Sequence, residues 1–158
     1  MQLDEKKIPA LNIAGYGGCE KTLAPIFLGY KHVDKPLHDF EHCKNPTDMI
    51  EVKKQVNCQW FDIGKYHDIS PHERQIKMTF ALHKEGRIIT LFYIPLGKML
   101  ELLCSDPEYR KYGWTQENIE ECAALKRSFP SMQVKVKLPV KTFYKKYQRS
   151  VETVYTVS

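Results

Sequence analysis

Residues 75–103 read QIKMTFALHKEGRIITLFYIPLGKMLELL. The apolar residues of the first part fall at every second position from Ile76 to Leu82, which predicts a strand over Gln75–His83. Its intervening residues predict a second face in contact with water. Lys84–Arg87 predicts a turn, and Ile88–Ile94 is almost wholly apolar, as is typical of a strand inside a sheet. We therefore expect a β-hairpin in the core of the fold.

The hydrophobic period changes from two to 3.6 after Pro95. Leu96, Met99, Leu100 and Leu103 occupy positions i, i+3, i+4 and i+7 of one helix face. This spacing predicts a helix that packs on the sheet directly after the hairpin.

Two further helices are predicted from capping signals. Asp106 before Pro107 is typical of a helix start, and Gly113 predicts the end of that short helix. A third helix is predicted from Thr115 to Pro130, because acidic residues lie in its first turns and basic residues near its end.

Strands are predicted on both sides of this central region. Val52–Ile63 is rich in β-branched and aromatic residues, Met132–Lys141 alternates apolar residues with lysines, and Val151–Val157 predicts a last strand. The order of elements predicts an α+β fold, with about five strands in an antiparallel or mixed sheet and two or three helices packed on one side. We expect a single domain over residues 1–158.

The first 50 residues show no sustained hydrophobic period. They contain four of the nine prolines and four of the eight glycines. We expect this segment to be largely irregular, with short elements at most.

The composition excludes several classes of protein. Hydrophobic residues make up 42% and charged residues 27% of the 158 residues, which argues against extensive disorder. No apolar stretch approaches the ~18 residues of a membrane span, and the N-terminus lacks the pattern of a secretory signal. The five cysteines are irregularly spaced and favour a reducing compartment over a disulfide framework. We therefore expect an intracellular protein, in the cytoplasm or the nucleus.

Positive charge is concentrated near the C-terminus. Cys122–Val151 contains eight Lys or Arg residues and no Asp or Glu. The whole chain is +5, and the remainder has sixteen basic against nineteen acidic residues, a charge of −3. Four aromatic residues are interleaved with the basic ones, namely Phe129, Phe143, Tyr144 and Tyr147. A basic surface with aromatic side chains predicts a polyanion as the partner.

The pattern favours nucleic-acid binding without catalysis. Alternate residues of a strand lie about 6.6 Å apart, so Lys135 and Lys137 would reach successive phosphates, while Tyr144 and Tyr147 would stack on bases. Such binding depends on salt and selects weakly for sequence. No cofactor or metal is expected. The predicted binding residues are Lys126, Arg127, Lys135, Lys137, Lys141, Tyr144, Lys145, Lys146, Tyr147 and Arg149.

Other interpretations of the basic segment stay open. The same surface would suit an acidic partner protein, as in a protein-interaction or regulatory module. Exposed lysines also protect strand edges against unwanted pairing, and the aromatic residues would then belong to the core. The choice between DNA and RNA and the oligomeric state remain open at this stage.

Two metal sites are further alternatives. Asp62, Asp68 and Glu73, with Lys77 nearby, suggest a Mg²⁺-dependent nuclease, although their spacing matches no nuclease signature. A zinc site is the second alternative, although no Cys-x2-Cys pair is present. Its candidate ligands within one short span are His38, His42, Cys43, Cys58, His67 and His72.

Overall fold

The computed structural model describes residues 1–15, 17–55 and 58–157. Within these residues the strands are β1 (Tyr30–His32), β2 (Phe40–His42), β3 (Met49–Gln55), β4 (Gln59–Asp62), β5 (Lys77–Lys84), β6 (Arg87–Pro95), β7 (Lys135–Leu138) and β8 (Glu152–Thr156). The α-helices are α1 (Glu20–Leu23), α2 (Leu96–Ser105), α3 (Pro107–Arg110), α4 (Gln116–Ser128) and α5 (Val140–Lys146). Short 3₁₀ helices cover Glu5–Ala10, Ala24–Ile26, Ile63–Tyr66 and Glu73–Gln75.

The predicted α+β class is confirmed. In the described part of the chain, a six-stranded mixed sheet has the order β1-β2-β3-β5-β6-β8, and β4 and β7 form a separate two-stranded ribbon. β3 and β5 are parallel, whereas the other neighbours are antiparallel. The central hairpin β5–β6 turns at Glu85 and Gly86, both with positive φ.

Strand β5 is buried on both faces, so the prediction of a water-exposed face was wrong. Thr79 and Ala81 are fully buried and His83 is only 5% exposed. The reason is that the N-terminal segment covers this side, where Ile8, Leu23 and other residues form a second apolar cluster with the sheet. Periodicity along β5 alone does not reveal a cover that comes from a distant segment.

The other face of the sheet carries the larger core. Helices α2 to α5 and the ribbon pack there against β5 and β6. Phe80 and Phe92 stack with ring centroids 5.1 Å apart, and Trp114 meets Phe61 edge-on at 5.5 Å. Burying each such side chain contributes about 1.5–3 kcal/mol, so this cluster holds the ribbon against the sheet.

The predicted helices after Pro95 are confirmed together with their caps. The Asp106 carboxylate accepts a hydrogen bond from the Glu108 N–H at 3.0 Å, and the Thr115 hydroxyl accepts one from the Asn118 N–H at 3.0 Å. No helix in the described residues is long and apolar enough to cross a membrane.

Two predicted strands have different limits in the structure. The strand predicted over Val52–Ile63 is divided between β3 and β4, and residues 56 and 57 lie outside the described part. The strand predicted over Met132–Lys141 is confined to β7, since Val140 and Lys141 already belong to α5. Pro139 lies between them, and a proline cannot donate to a strand ladder.

Candidate functional site

The β4–β7 ribbon has one face in the core and one face outside. Pairing places Phe61 opposite Val136 on the inner face, where both are buried. It places Trp60 opposite Lys137 on the outer face. We call the outer set of Trp60, Lys135 and Lys137, with Tyr112 at one end and Lys126 at the other, the ribbon face.

Trp60 is the most unusual residue of the ribbon face. Its side chain is 51% exposed, whereas Trp114, the other tryptophan of the chain, is completely buried. Large aromatic side chains contribute most to stability when they are buried. An exposed indole directly across from a lysine is therefore a candidate contact for a ligand.

Tyr112 lies at the Lys137 end of the ribbon face. The Lys137 Nζ is 5.2 Å from the centroid of the Tyr112 ring, within the range of a cation–π contact. Two neighbours fix this connection between α3 and α4. Gly113 has a φ of +104° and lies close to Val136. A Cβ added to Gly113 would lie 2.9 Å from the Cγ1 of Val136. The Trp114 indole N–H donates to the Lys137 carbonyl at 3.0 Å.

Lys126 closes the opposite end. Its ammonium lies 2.5 Å from the Asp62 Oδ2 and donates to the Met132 carbonyl at 3.2 Å. Asp62 faces Lys135 across the ribbon and is only 9% exposed. Lys126 thus offsets the carboxylate that faces Lys135, and Lys135 and Lys137 are left to present positive charge.

The remaining predicted residues lie on α5, on the turn after it, or at the end of α4. Lys141 and Lys145, one helical turn apart on α5, are exposed, as are Arg127 and Arg149. Lys146, although also exposed, is held at the start of α3, because its Nζ lies 2.6 Å from the Oδ2 of Asp106, the N-cap residue.

Asp106 joins α3 to α5. It accepts hydrogen bonds from Lys146 and, at 2.5 Å, from the Tyr147 hydroxyl. These two hydrogen bonds, in that order of effect, lower the pKa of Asp106 to about 2. The contact with Asp106 also raises the pKa of Lys146. Lys146 and Tyr147 therefore have a structural role, and their binding role stays a prediction.

Tyr144 is likewise engaged within the fold. Its ring centroid lies 4.5 Å from that of Phe92, and its hydroxyl is 2.7 Å from the Thr153 Oγ1. Tyr144 and Tyr147 are both half-buried. Among the residues that the structure describes, the aromatic rings that border lysines on the ribbon face are those of Trp60 and Tyr112.

Sequence reasoning did not select Trp60 or Tyr112. The β4 sequence alternates, but alternation alone does not tell which of Trp60 and Phe61 faces the core. Tyr112 follows a four-residue helix and carries no periodic signal. One hint in the sequence is a tryptophan without an assigned role in one predicted strand, together with alternating lysines in another. The sequence does not show that these two strands pair.

The described residues contain no group of three or more His, Cys, Asp or Glu side chains placed to hold a metal ion. Three of the four residues proposed for a nuclease have other partners. Asp62 contacts Lys126, the Glu73 carboxylate accepts from the Ser70 N–H at 2.8 Å, and Lys77 contacts Asp48 at 2.8 Å. Of the candidate zinc ligands, His38 contacts Glu41 at 3.1 Å.

No protein-family model matches the chain, and no curated protein sequence is significantly similar to it. The residues of the ribbon face and their chemistry are therefore the basis for assigning a function. Three features of this surface bear on its function. They are the exposed indole of Trp60, the lysines on the neighbouring strand β7, and the Asp62 carboxylate, whose charge Lys126 offsets.

Proposed function

We propose that this protein is a non-catalytic nucleic-acid-binding protein and that the ribbon face is its binding surface. The observation that carries the proposal is the half-exposed Trp60 directly opposite Lys137. A nucleic acid is the common polyanion that also offers flat apolar surfaces, so it matches both residues together.

Each part of the ribbon face has a chemical role in this proposal. The Trp60 indole stacks on a base, which contributes about 1–3 kcal/mol and does not depend strongly on which base it is. Lys135 and Lys137 lie on the same face of β7, about 6.6 Å apart, and contact neighbouring phosphates. Tyr112 orients Lys137 through the cation–π contact.

The exposed cations outside the ribbon add a general attraction. Arg127, Lys141, Lys145 and Arg149 belong to the segment without acidic residues and raise the local concentration of a polyanion. Lys146 contributes less, because its charge is offset by Asp106 and Glu108. The expected affinity is salt-dependent and only weakly selective for sequence.

Fluorescence titration with oligothymidylate and oligouridylate tests the proposal. Because Trp114 is buried, quenching on addition of the oligonucleotide reports on Trp60. We expect quenching at low salt and a linear loss of affinity with the logarithm of salt concentration. Changing Lys135 and Lys137 together to Gln should reduce the salt slope by about 1.4, since each phosphate contact to a single strand contributes about 0.7.

The matched control removes the same charge elsewhere. Lys84→Gln with Lys98→Gln changes two exposed lysines, one at the end of β5 and one on α2. This variant should keep the wild-type salt slope. Absence of quenching and binding at low salt contradicts the proposal, and equal losses in both double variants contradict the assignment to the ribbon.

A further inference from the structure

An exposed apolar turn adjoins the ribbon face, and its apolar side chains take no part in the interactions described so far. Phe129 follows α4 and is 56% exposed, Met132 is 39% exposed, and Leu125 on the last turns of α4 is 42% exposed. The turn is ordered by its own backbone, since the Phe129 N–H donates to the Leu125 carbonyl at 2.8 Å and the Met132 N–H donates to the Phe129 carbonyl at 2.9 Å.

Side-chain and backbone bonds attach this turn to one end of the ribbon. Lys126 bridges the Met132 carbonyl and Asp62, which faces Lys135. Just beyond the turn, the Ile63 N–H donates to the Val134 carbonyl at 3.2 Å. The turn is thus held at the Lys135 end of the ribbon face, whereas Tyr112 contacts Lys137 at the other end.

We infer that Phe129 is a second base-stacking platform and that the ligand is a single strand running from Phe129 past Lys135 to Trp60. The inference rests on the proposed function and deepens it by naming the class of nucleic acid. The Phe129 ring is exposed, Arg127 lies two residues before it, and Lys135 lies at the adjoining end of the ribbon. A flat ring near positive charge suits a polyanion that carries flat apolar groups. Only an unpaired strand offers its base faces to two such platforms.

Oligothymidylates from about two to about ten nucleotides long test this arrangement. In the wild type, affinity should rise with length until one strand engages both platforms. Phe129→Ala should weaken binding of the longer strands by about 5- to 150-fold, the equivalent of one stacked base. Binding of the shortest strand and the maximal quenching of Trp60 should stay as in the wild type.

Two further variants test why Phe129→Ala weakens binding. One distinguishes base stacking from a plain apolar contact, and the other controls for truncation of an exposed apolar side chain. Phe129→Leu keeps an apolar side chain without a flat ring and should lose as much affinity as Phe129→Ala. Leu28→Ala truncates a 40% exposed residue of the N-terminal segment and should bind all lengths normally. Thermal unfolding of each variant verifies that the fold is retained.

The outcomes distinguish this inference from the proposed function. If Trp60 is quenched but Phe129→Ala matches the wild type at every length, the second platform is wrong and the proposed function stands. If Phe129→Leu binds normally while Phe129→Ala does not, Phe129 makes an apolar contact and not a stacking one, which also overturns the inference. Tighter binding of duplex than of single strands overturns it as well. If no oligonucleotide quenches Trp60, the proposed function fails and the inference fails with it.

Discussion

Trp60 of β4 and Lys137 of β7 face each other across the two-stranded ribbon, on the side turned away from the core. Directly opposed side chains in an antiparallel pair have Cβ atoms about 4.5–5.5 Å apart. An aromatic surface and a positive charge therefore occupy one patch, although the two residues are far apart in sequence.

Trp60→Ala should weaken nucleic-acid binding without unfolding the protein. Loss of one stacked base predicts a decrease in affinity of about 5- to 150-fold. The free energy of unfolding should change by at most about 1 kcal/mol, because the side chain is half-exposed and loses mainly a cross-strand contact. Fluorescence anisotropy of a labelled oligonucleotide and a denaturant titration measure the two effects. A large loss of stability with normal binding would assign Trp60 a structural role.

Asp106→Asn should remove a contribution to the free energy of unfolding that the wild type itself loses at acidic pH. The pKa of Asp106 is lowered from its ordinary 3.8 to about 2 by the hydrogen bonds from Lys146 and Tyr147. The native state thus prefers the ionised form, and this stabilisation is present above pH 3.8 and is lost as the pH falls through about 2. Asparagine can still cap α3. Melting temperatures should be lower than those of the wild type at neutral pH and should converge below pH 2. A constant difference at all pH values would show that the charge does not matter.

Glu51→Gln should make stability less sensitive to alkaline pH. Burial, followed by the neighbouring Asp39 carboxyl, raises the pKa of Glu51 above its ordinary 4.5. Because the native state retains a proton that the unfolded state loses, the wild type should become less stable as the pH rises above 4.5 toward the raised pKa of Glu51. One such group contributes a slope of at most about 1.4 kcal/mol per pH unit. Denaturant titrations between pH 5 and pH 9 should give a flatter profile for the variant. An unchanged slope contradicts the assignment to Glu51.

Gly86→Ala should destabilise the docking of the N-terminal segment on the hairpin. Gly86 has a φ of +85°, and an added Cβ would collide with the Asn12 side chain and approach the Ala14 Cβ at 2.9 Å. The Ile13 N–H also donates to the Gly86 carbonyl at 2.9 Å. We expect a loss of about 2–4 kcal/mol from the backbone strain and the crowding together.

Gly17→Ala is the matched control for this prediction. Gly17 has a similar φ of +87°, but no atom of the described residues beyond its chain neighbours lies within 4 Å of an added Cβ. Only the strain of the left-handed backbone remains, at about 1 kcal/mol. Equal losses in the two variants, measured by chemical denaturation, would mean that contact with the N-terminal segment does not contribute.

The central hairpin and α2 were predictable because their signals are local. Alternation from Ile76 to Leu82 and the apolar run after Ile88 specify two strands, and the 3.6 period after Pro95 specifies a helix. The second buried face of β5 was not predictable. The residue types of Thr79 and His83 do not indicate whether they are buried, and the residues that cover them belong to the distant N-terminal segment.

The candidate site divides in the same way. Two of its features follow from composition and from a period of two along the chain. They are the positive charge between Cys122 and Val151, and the position of Lys135 and Lys137 on one face of a strand. The position of Trp60 opposite Lys137 and the contact of Lys146 with Asp106 arise only when the chain folds. Strand partners and ion pairs between distant segments depend on how the buried faces pack together, and no periodicity within one segment encodes that packing.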